Sequence, residues 1–275
     1  MCAYVWWLGG LSPRRRWYVG GMTALAVVVV LVVAGRLTLA RAVRHAGPAA
    51  DQSAPGPVVL VPGYGGGTDG LAALAMRLER LGRRTAIVVP PGDGTGDLRK
   101  QASVLDKKVN ALLRGGAPSV DVVGYSAGGV VTRLWARDHD GAHKARRIVT
   151  LGSPHQGADV SAAGAALSPG ACPVACQQLV PGSALLRKLG HRVGDRPEWM
   201  SVWTTRDQVV TPPGSARLDG AVNVVLQQVC PDAAAGHDDL PSDPLVDGIV
   251  LRALGGDPMT APAPSDCASL RAPGS

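Results

Sequence analysis

Acidic residues are absent from the first fifty positions of this 275-residue chain, which carry six arginines instead. The chain has 28 basic and 21 acidic residues, so 28 − 6 = 22 basic and all 21 acidic residues lie between positions 51 and 275. This main part therefore has a net charge of only +1. Proteins that bind nucleic acid need a strongly basic face, so the sequence predicts no nucleic-acid partner.

Nucleotide and metal motifs are also missing. A glycine-rich loop, Pro62 to Gly67, follows a short apolar segment, but the chain lacks the Gly-Lys-Ser/Thr of a P-loop and the spaced glycines of a dinucleotide site. Cys172 and Cys176 are separated by three residues, with no second pair or histidine nearby, which is poor evidence for zinc. The sequence thus predicts neither a nucleotide-binding loop of these two kinds nor a zinc site.

An uncharged run of nineteen residues extends from Trp17 to Gly35. Nineteen helical residues can just span a bilayer, and the three arginines before the run would stay on the cytoplasmic side. We predict that residues 1–42 form a signal peptide or a signal anchor, with a transmembrane segment over 17–35. Ala40-Arg41-Ala42 offers a cleavage site, and whether the helix is removed stays open.

Four of the five cysteines follow this hydrophobic run. An even number on one side indicates two disulfides formed in an oxidising compartment. Three pairings are possible, and we favour Cys172 with Cys176 and Cys230 with Cys267. The cysteines and the hydrophobic run agree on export, so we expect the protein to be extracellular, or anchored to the cell membrane with its folded domain outside.

The rest of the chain divides by composition. Residues 43–56 are rich in Ala, Pro and Gly and predict a linker. The folded domain is predicted over 57–256, with 156–197 as an irregular insertion or partial cap, and a Pro/Ala/Ser-rich tail covers 257–275.

Within the folded domain, β-branched segments alternate with helical periodicity. This alternation predicts an α/β fold with a mostly parallel central sheet and helices on both faces. The predicted strands are 58–61, 84–89, 120–123, 146–151, 200–204 and 221–229. The predicted helices cover 71–81, 97–114, 130–137, 183–189 and 244–254.

The motif Gly-x-Ser-x-Gly occupies Gly124, Ser126 and Gly128, between a β-branched strand and an apolar helical segment. Strand, motif and helix in this order are typical of a nucleophile elbow. The turn is so tight that a Cβ two residues before or after the serine would clash. The hydroxyl would lie at a helix N-terminus, where the dipole favours developing negative charge. Ser126 is therefore the predicted nucleophile.

A nucleophilic serine needs a base, and the base needs a carboxylate that orients it. Active sites of parallel sheets lie at the carboxyl ends of the strands. Asp207 follows the strand after the insertion and His237 follows the last strand, so we predict them as acid and base, in the chain order expected of an α/β-hydrolase. The open alternatives are His155 for the base and Asp195, Asp219 and Asp232 for the acid.

Five segments of the chain carry a family resemblance. They are Val59 to Gly65, Gly124 to Gly129, Thr150 to Gly157, Asp207 to Pro212 and His237 to Pro241. Together they resemble the small secreted bacterial lipases and esterases of the α/β-hydrolase superfamily, in particular the actinobacterial class 2 triacylglycerol lipases. The resemblance covers the chain from about residue 57 to 256.

This resemblance implies an α/β-hydrolase fold, preceded here by the N-terminal hydrophobic helix. It implies Ser126 as nucleophile, Asp207 as acid and His237 as base, with the backbone N–H groups of Tyr64 and Ala127 as the oxyanion hole. The family often has His-Gly where this chain has Pro-Gly at positions 62–63, which keeps the N–H donor of Tyr64. No cofactor is implied.

The implied activity is hydrolysis of carboxylic esters, of acylglycerols or other lipids, through an acyl-enzyme. The expected partners are an acyl-ester or lipid substrate, and the membrane if the N-terminal helix is not cleaved; the protein is expected to be a monomer. Two alternatives stay open. One is an acyltransferase or thioesterase that uses the same triad, and the other is a non-catalytic protein of this fold that binds an acyl ligand or a partner.

Overall fold

The computed structural model describes residues 14, 22, 25–33, 35–36, 50–159, 161 and 172–272. The chain divides into two compact units, Met1–Gly47 and Pro48–Ser275. In the first unit, residues 25–33 are helical with exposed side chains. No helix among the described residues is both long enough and apolar enough to cross a membrane. The predicted signal segment 1–42, including part of the run 17–35, lies largely outside the described residues.

In the described part of the second unit, six strands form one fully parallel sheet. The strands are β1 (Val58–Val61), β2 (Thr85–Ile87), β3 (Val120–Tyr125), β4 (Ala145–Leu151), β5 (Glu198–Trp203) and β6 (Val222–Val225). Their spatial order is β2-β1-β3-β4-β5-β6. The strand order therefore reverses between β1 and β3, because β2 lies on one side of β1 and all later strands lie on the other. Ligands of open parallel sheets bind at the carboxyl ends of the strands beside such a reversal.

Helices cover both faces of this sheet, as the sequence predicts. They are α1 (Asp69–Arg80), α2 (Leu98–Arg114), α3 (Ala127–Asp138), α4 (Val174–Gln178), α5 (Ala184–Leu189), α6 (Leu226–Val229), α7 (Pro244–Ala253) and α8 (Cys267–Arg271). One hydrophobic core packs α1 and α7 against the sheet, and the other packs α2 and α3 against the opposite face. Strands buried on both faces explain the continuous β-branched runs in the sequence.

Most predicted elements shift by one to two residues at their ends, and two differ by more. The last strand, predicted over 221–229, ends at Val225, and the chain turns directly into α6. Leu226 and Val229 are both buried in the core, so the apolar run continues although the backbone changes; a short apolar run does not separate strand from helix. The helix after the serine begins at Ala127, before the apolar segment at 130, because Gly128 and Gly129 are already helical.

Two disulfides link segments of the folded unit. A disulfide links Cys230 to Cys267 in α8, with Cα atoms 5.3 Å apart. In the insertion, a second disulfide links Cys172 to Cys176 of α4, with Cα atoms 5.5 Å apart. The described part of the insertion is partly helical, since it contains α4 and α5. Residues 160 and 162–171 of the insertion are not among the described residues.

Candidate active site

Ser126 lies at the point where β3 gives way to α3. Its backbone has φ +52° and ψ −126°, a region that residues with a side chain rarely adopt and that costs about 1–3 kcal/mol. Its N–H donates a 2.8 Å hydrogen bond to the carbonyl oxygen of Leu151, at the end of β4. The strained turn is therefore fixed against the neighbouring strand, and the side chain is held at the carboxyl edge of the sheet.

The two glycines of the motif make this turn possible. A Cβ on Gly124 would lie 2.7 Å from the Cα of Gly129. A Cβ on Gly128 would lie 2.3 Å from the carbonyl oxygen of Val61, at the end of β1. Both contacts are with backbone that cannot move away cheaply, so neither position accepts a side chain without a shift of the elbow.

Asp207 and His237 reach Ser126 from two other loops at the same edge. Asp207 follows β5, and His237 follows β6 and α6. His237 Nε2 lies 3.0 Å from Ser126 Oγ, and His237 Nδ1 lies 2.7 Å from Asp207 Oδ2. All three residues are at most 8% exposed. The structure therefore brings the three predicted residues into one continuous line of hydrogen bonds.

Backbone amides hold the carboxylate of Asp207. Its Oδ1 accepts hydrogen bonds from the N–H groups of Val209 at 2.9 Å and Val210 at 2.7 Å, which leaves Oδ2 for the histidine. Two donors from the following turn fix the rotation of the carboxylate. The imidazole of His237 is oriented by an acceptor whose own position is fixed.

Tyr125, inside the motif, supports the histidine from the side. Its ring centroid lies 5.2 Å from that of His237, and its hydroxyl donates to the carbonyl oxygen of His237 at 3.3 Å. Burial, together with the charges of Asp238 and Asp207, raises the pKa of the Tyr125 phenol. The hydroxyl therefore stays protonated at neutral pH and remains a donor.

The predicted oxyanion-hole residues lie on either side of the serine. Ala127 is the first residue of α3, and the first amides of a helix have no partner within the helix. A Cβ on Gly63 would lie 3.0 Å from the Cβ of Ser126, which brings the loop after β1 against the serine. Tyr64 comes next in this loop and is 45% exposed. Both amides thus belong to backbone that adjoins Ser126.

An apolar cavity of about 270 Å³ opens beside the serine hydroxyl. We call it the Ser126 cavity; its lining residues are Tyr64, Ser126, Pro154, Ala158, Ser161, Cys176, Leu179, Val209 and Val210. The loop after β1, the loop after β4, the insertion and the turn after Asp207 all contribute to it. The residues that hold the Asp207 carboxylate therefore also form one wall of this cavity.

The alternative base, His155, is hydrogen-bonded to Thr150 and not to Ser126. It is 1% exposed, and its Nε2 lies 3.1 Å from Thr150 Oγ1. Its Nδ1 has no hydrogen-bond partner among the described residues. Burial, and secondarily the charge of Arg133, lowers the pKa of His155 well below its ordinary value. His155 is therefore a neutral interior histidine, and the imidazole that meets Ser126 is that of His237.

The alternative acids are bound to surface arginines. Asp195 is 96% exposed and lies 3.9 Å from Arg192. Asp219 forms an ion pair with Arg217, and Asp232 forms one with Arg271. The carboxylate that contacts the histidine is that of Asp207.

Metal ligation is limited by the disulfides. Among the described residues, one group of potential ligands comes close enough to surround an ion, formed by Cys230, Asp232 and Cys267. The two sulfurs of this group are bonded to each other, so they offer no thiolate, the form of cysteine that binds metals. Cys172 and Cys176 are likewise joined.

Two further residues that were not predicted as site residues, Gly152 and Gln208, support the triad. A Cβ on Gly152, whose φ is +54°, would lie 3.2 Å from His237 Nδ1 and 3.3 Å from Asp207 Oδ2, so a side chain there would press on the acid–base pair. Gln208 accepts a hydrogen bond from the His237 N–H through its Oε1 at 3.4 Å. The sequence features that could have indicated these two roles are a glycine directly after a predicted strand, for Gly152, and an amide side chain next to the predicted acid, for Gln208.

Comparisons with known proteins agree with this architecture. A protein-family profile described as "PGAP1-like alpha/beta domain" matches residues 93–168, which include the serine motif. Lipase B of Aspergillus fumigatus is similar in structure, with a TM-score of 0.61 and 18% identity over 78% of this chain and 56% of the lipase. The mature lipase BlEst2 of Bacillus licheniformis gives 0.52 and 18%, over 61% of this chain and 81% of the lipase.

These similarities define the fold of the chain. The parallel sheet, the elbow after β3 and the structural neighbours show that the chain has the α/β-hydrolase fold predicted from its sequence. The two structural neighbours named above are both lipases. The chain spans 56% of the length of the Aspergillus lipase, so the activity of that whole protein does not transfer by fold alone.

Proposed function

We propose that this protein is a serine hydrolase that cleaves carboxylic esters of lipids or other acyl compounds. The observation that carries the proposal is the line of hydrogen bonds from Asp207 through His237 to Ser126, which ends at the Ser126 cavity. A buried Ser-His-Asp set in this order has a known chemical use, which is to generate a nucleophilic alkoxide at neutral pH.

In the acylation step, Ser126 Oγ attacks the ester carbonyl carbon while His237 Nε2 accepts the hydroxyl proton. Asp207 stabilises the imidazolium through Nδ1 and does not take the proton itself. The N–H groups of Tyr64 and Ala127 donate to the oxyanion, and each such donor contributes about 3–4 kcal/mol. The tetrahedral intermediate then collapses, and His237 returns the proton to the leaving alcohol.

In the deacylation step, water takes the place of the alcohol. His237 Nε2 accepts a proton from the water, the resulting hydroxide attacks the acyl carbonyl, and the same two amides hold the second oxyanion. Collapse of this intermediate breaks the bond to Ser126 Oγ, which recovers its proton from His237. The carboxylic acid leaves, and the resting hydrogen bonds form again.

The Ser126 cavity supports an acyl substrate. Val209, Val210, Leu179, Pro154 and Ala158 present hydrocarbon to a space that begins at the nucleophile. Burial of a methylene stabilises a complex by about 0.8 kcal/mol, so a chain laid here would add affinity with each carbon until the cavity is filled. The lipases among the structural neighbours favour the same substrate class.

We also propose that the protein acts outside the cytoplasm. Its two disulfides are typical of oxidising compartments. Export by the N-terminal segment, retention on the membrane and the monomeric state stay predictions. Mass spectrometry of the protein isolated from its host would test the first of these, because cleavage at Ala42 would remove the first 42 residues.

The test of the activity compares the purified protein with Ser126→Ala on p-nitrophenyl butyrate and p-nitrophenyl palmitate. Ser242→Ala is the matched control, since Ser242 is exposed and has no triad contact. We expect Ser126→Ala to lose at least about 10³-fold in kcat/KM and Ser242→Ala to match the parent. A folded parent protein without activity on either ester would overturn the proposal in favour of the ligand-binding alternative.

A further inference from the structure

A second cavity, of about 240 Å³, lies apart from Ser126 and is lined by four arginines, Arg133, Arg137, Arg192 and Arg196. We call it the arginine cavity. Its other lining residues are Ala136, Ala142, Leu189, Val193, Gly194 and Trp199. They come from α3, the turn before β4, the end of α5 and the segment that enters β5. The cavity is therefore near the amino ends of β4 and β5, and the proposed ester hydrolysis uses none of its residues.

Arg133 is the buried cation of this cavity. It is 2% exposed, and its guanidinium donates only to carbonyl oxygens, to Gly190 at 2.7 Å and more weakly to His155 at 3.4 Å and Leu189 at 3.5 Å. Its Nε has no hydrogen-bond partner within the described ranges. Burial, with the neighbouring charge of Arg137, lowers its pKa to about 10, so it remains charged at neutral pH.

No carboxylate compensates this charge within the structure that is described. None of the salt bridges among the described residues includes Arg133; those of the neighbouring Arg137 and Arg192, for example, join these residues to Asp138 and Asp195. The residues outside the described ranges contain no Asp or Glu. A buried cation without a counter-ion is costly, and proteins normally pair it. The unpaired guanidinium and its orphaned Nε thus point to an anion that belongs in the cavity.

The remaining arginines leave an excess of positive charge. Arg137 binds Asp138 at 2.7 Å, and Arg192 lies 3.9 Å from the exposed Asp195, while Arg196 is exposed. The four guanidinium groups that line the cavity and their two carboxylate partners together give 4 − 2 = +2. A phosphate monoester carries about −1.5 to −2 at neutral pH, which matches this charge.

We propose that the arginine cavity binds a phosphate group, as inorganic phosphate or as a small phosphate monoester. The planar fork of a guanidinium donates two parallel hydrogen bonds to phosphate oxygens, which favours arginine over lysine at such sites. The volume is about eight times the ~30 Å³ that one water molecule occupies in the liquid and lies below the ~300 Å³ of the smallest drug-sized pockets. A phosphate with a short carbon chain fits this size, and Trp199 and Leu189 offer it an apolar wall.

Isothermal titration calorimetry of the full chain with inorganic phosphate and with glycerol 3-phosphate tests the site, at constant ionic strength and near-neutral pH. The test variant is Arg192→Gln/Arg196→Gln, because both residues are exposed and their loss spares the core. The matched control is Arg217→Gln/Arg271→Gln, which removes the same two charges from exposed ion pairs elsewhere. Tighter binding of glycerol 3-phosphate would identify a monoester site, and equal or weaker binding would identify a site for the free ion.

We expect saturable binding of at least one of the two probes. The affinity should be at least about tenfold lower in the test variant, because the loss of one charge-assisted hydrogen bond lowers an affinity by about tenfold or more. The control variant should match the parent. Absence of saturable binding of both probes, or equal loss in the control, overturns the proposal. The result is independent of ester hydrolysis, because Ser126→Ala protein can be titrated in the same way.

Discussion

Asp207 binds His237 through one carboxylate oxygen, at 2.7 Å from Nδ1, while its other oxygen accepts two backbone N–H groups. The two oxygens are therefore not equivalent, and the amides select the one that faces the imidazole. If His237 is the base, this arrangement fixes its tautomer with the proton on Nδ1 and leaves Nε2 free to accept from Ser126.

Asp207→Asn should lower kcat by about 10⁴-fold, because an amide N–H facing Nδ1 would favour the wrong tautomer. The fold should be retained, since Asn is isosteric and its oxygen can still accept from the N–H groups of Val209 and Val210. Ester kinetics with far-UV circular dichroism as the folding check would measure both effects. Asp195→Asn removes an exposed carboxylate and should leave kcat unchanged; a large loss there would point to Asp195 as the acid.

Gly128→Ala should destabilise the protein by about 1–3 kcal/mol and reduce ester hydrolysis. Its Cβ would lie 2.3 Å from the carbonyl oxygen of Val61 and 2.6 Å from that of Pro62, and overpacking against backbone has about this cost. Gly96→Ala is the control, because a Cβ there meets nothing within 4 Å. Urea unfolding of both variants would check this, and equal stability of the two would contradict the close approach of β1 to the elbow.

Asp247, in α7, should make stability depend on pH. Burial raises its pKa to about 6, against the opposing charge of Arg77, and its Oδ1 has no hydrogen-bond partner in the described part of the chain. The pKa of this carboxyl is lower in the unfolded chain. Between about pH 4 and 6 the folded state therefore holds more protons than the unfolded state, and the contribution of Asp247 to stability falls as pH rises.

Asp247→Asn should therefore gain stability relative to the parent when both are moved from about pH 4 to about pH 7. The difference in unfolding free energy between the variant and the parent should change by about 1 kcal/mol between the two pH values, because solvent partly screens the carboxyl. Urea unfolding of both proteins at the two pH values measures it. A difference that is the same at both values would mean that this carboxyl does not titrate in that window.

The two disulfides should contribute unequally to stability. Cys230 and Cys267 are 37 positions apart, whereas Cys172 and Cys176 are 4 apart. In the chain-entropy account, closing the longer loop stabilises the fold by about 4 kcal/mol and the shorter by about 2 kcal/mol. Thermal unfolding of the two paired Cys→Ser variants should show the larger loss for Cys230/Cys267. The reverse order would show that the short disulfide acts through the native structure of the insertion.

Local signals account for the parts of the fold that were predicted correctly. The strand at 58–61 and the helix that begins after Asp97 depend on β-branched runs, helical periodicity and an N-cap, where the Asp97 side chain accepts from the N–H of Arg99. These features involve residues within a few positions of each other. The end of β6 at Val225 could not be predicted in this way, since the apolar run continues through Leu226 and Val229, which are buried in α6.

By itself, the sequence determined the elbow of Ser126, the alternation of strands and helices, and a short set of acids and histidines at strand ends. Only the tertiary structure decided that Asp207 and His237, and not Asp195 or His155, lie in line with Ser126. Only the tertiary structure brings together the lining residues of the arginine cavity, which are spread over positions 133–199. The physical reason is that periodicity and turn chemistry act over a few residues, whereas the meeting of distant side chains depends on strand order and the path of each loop.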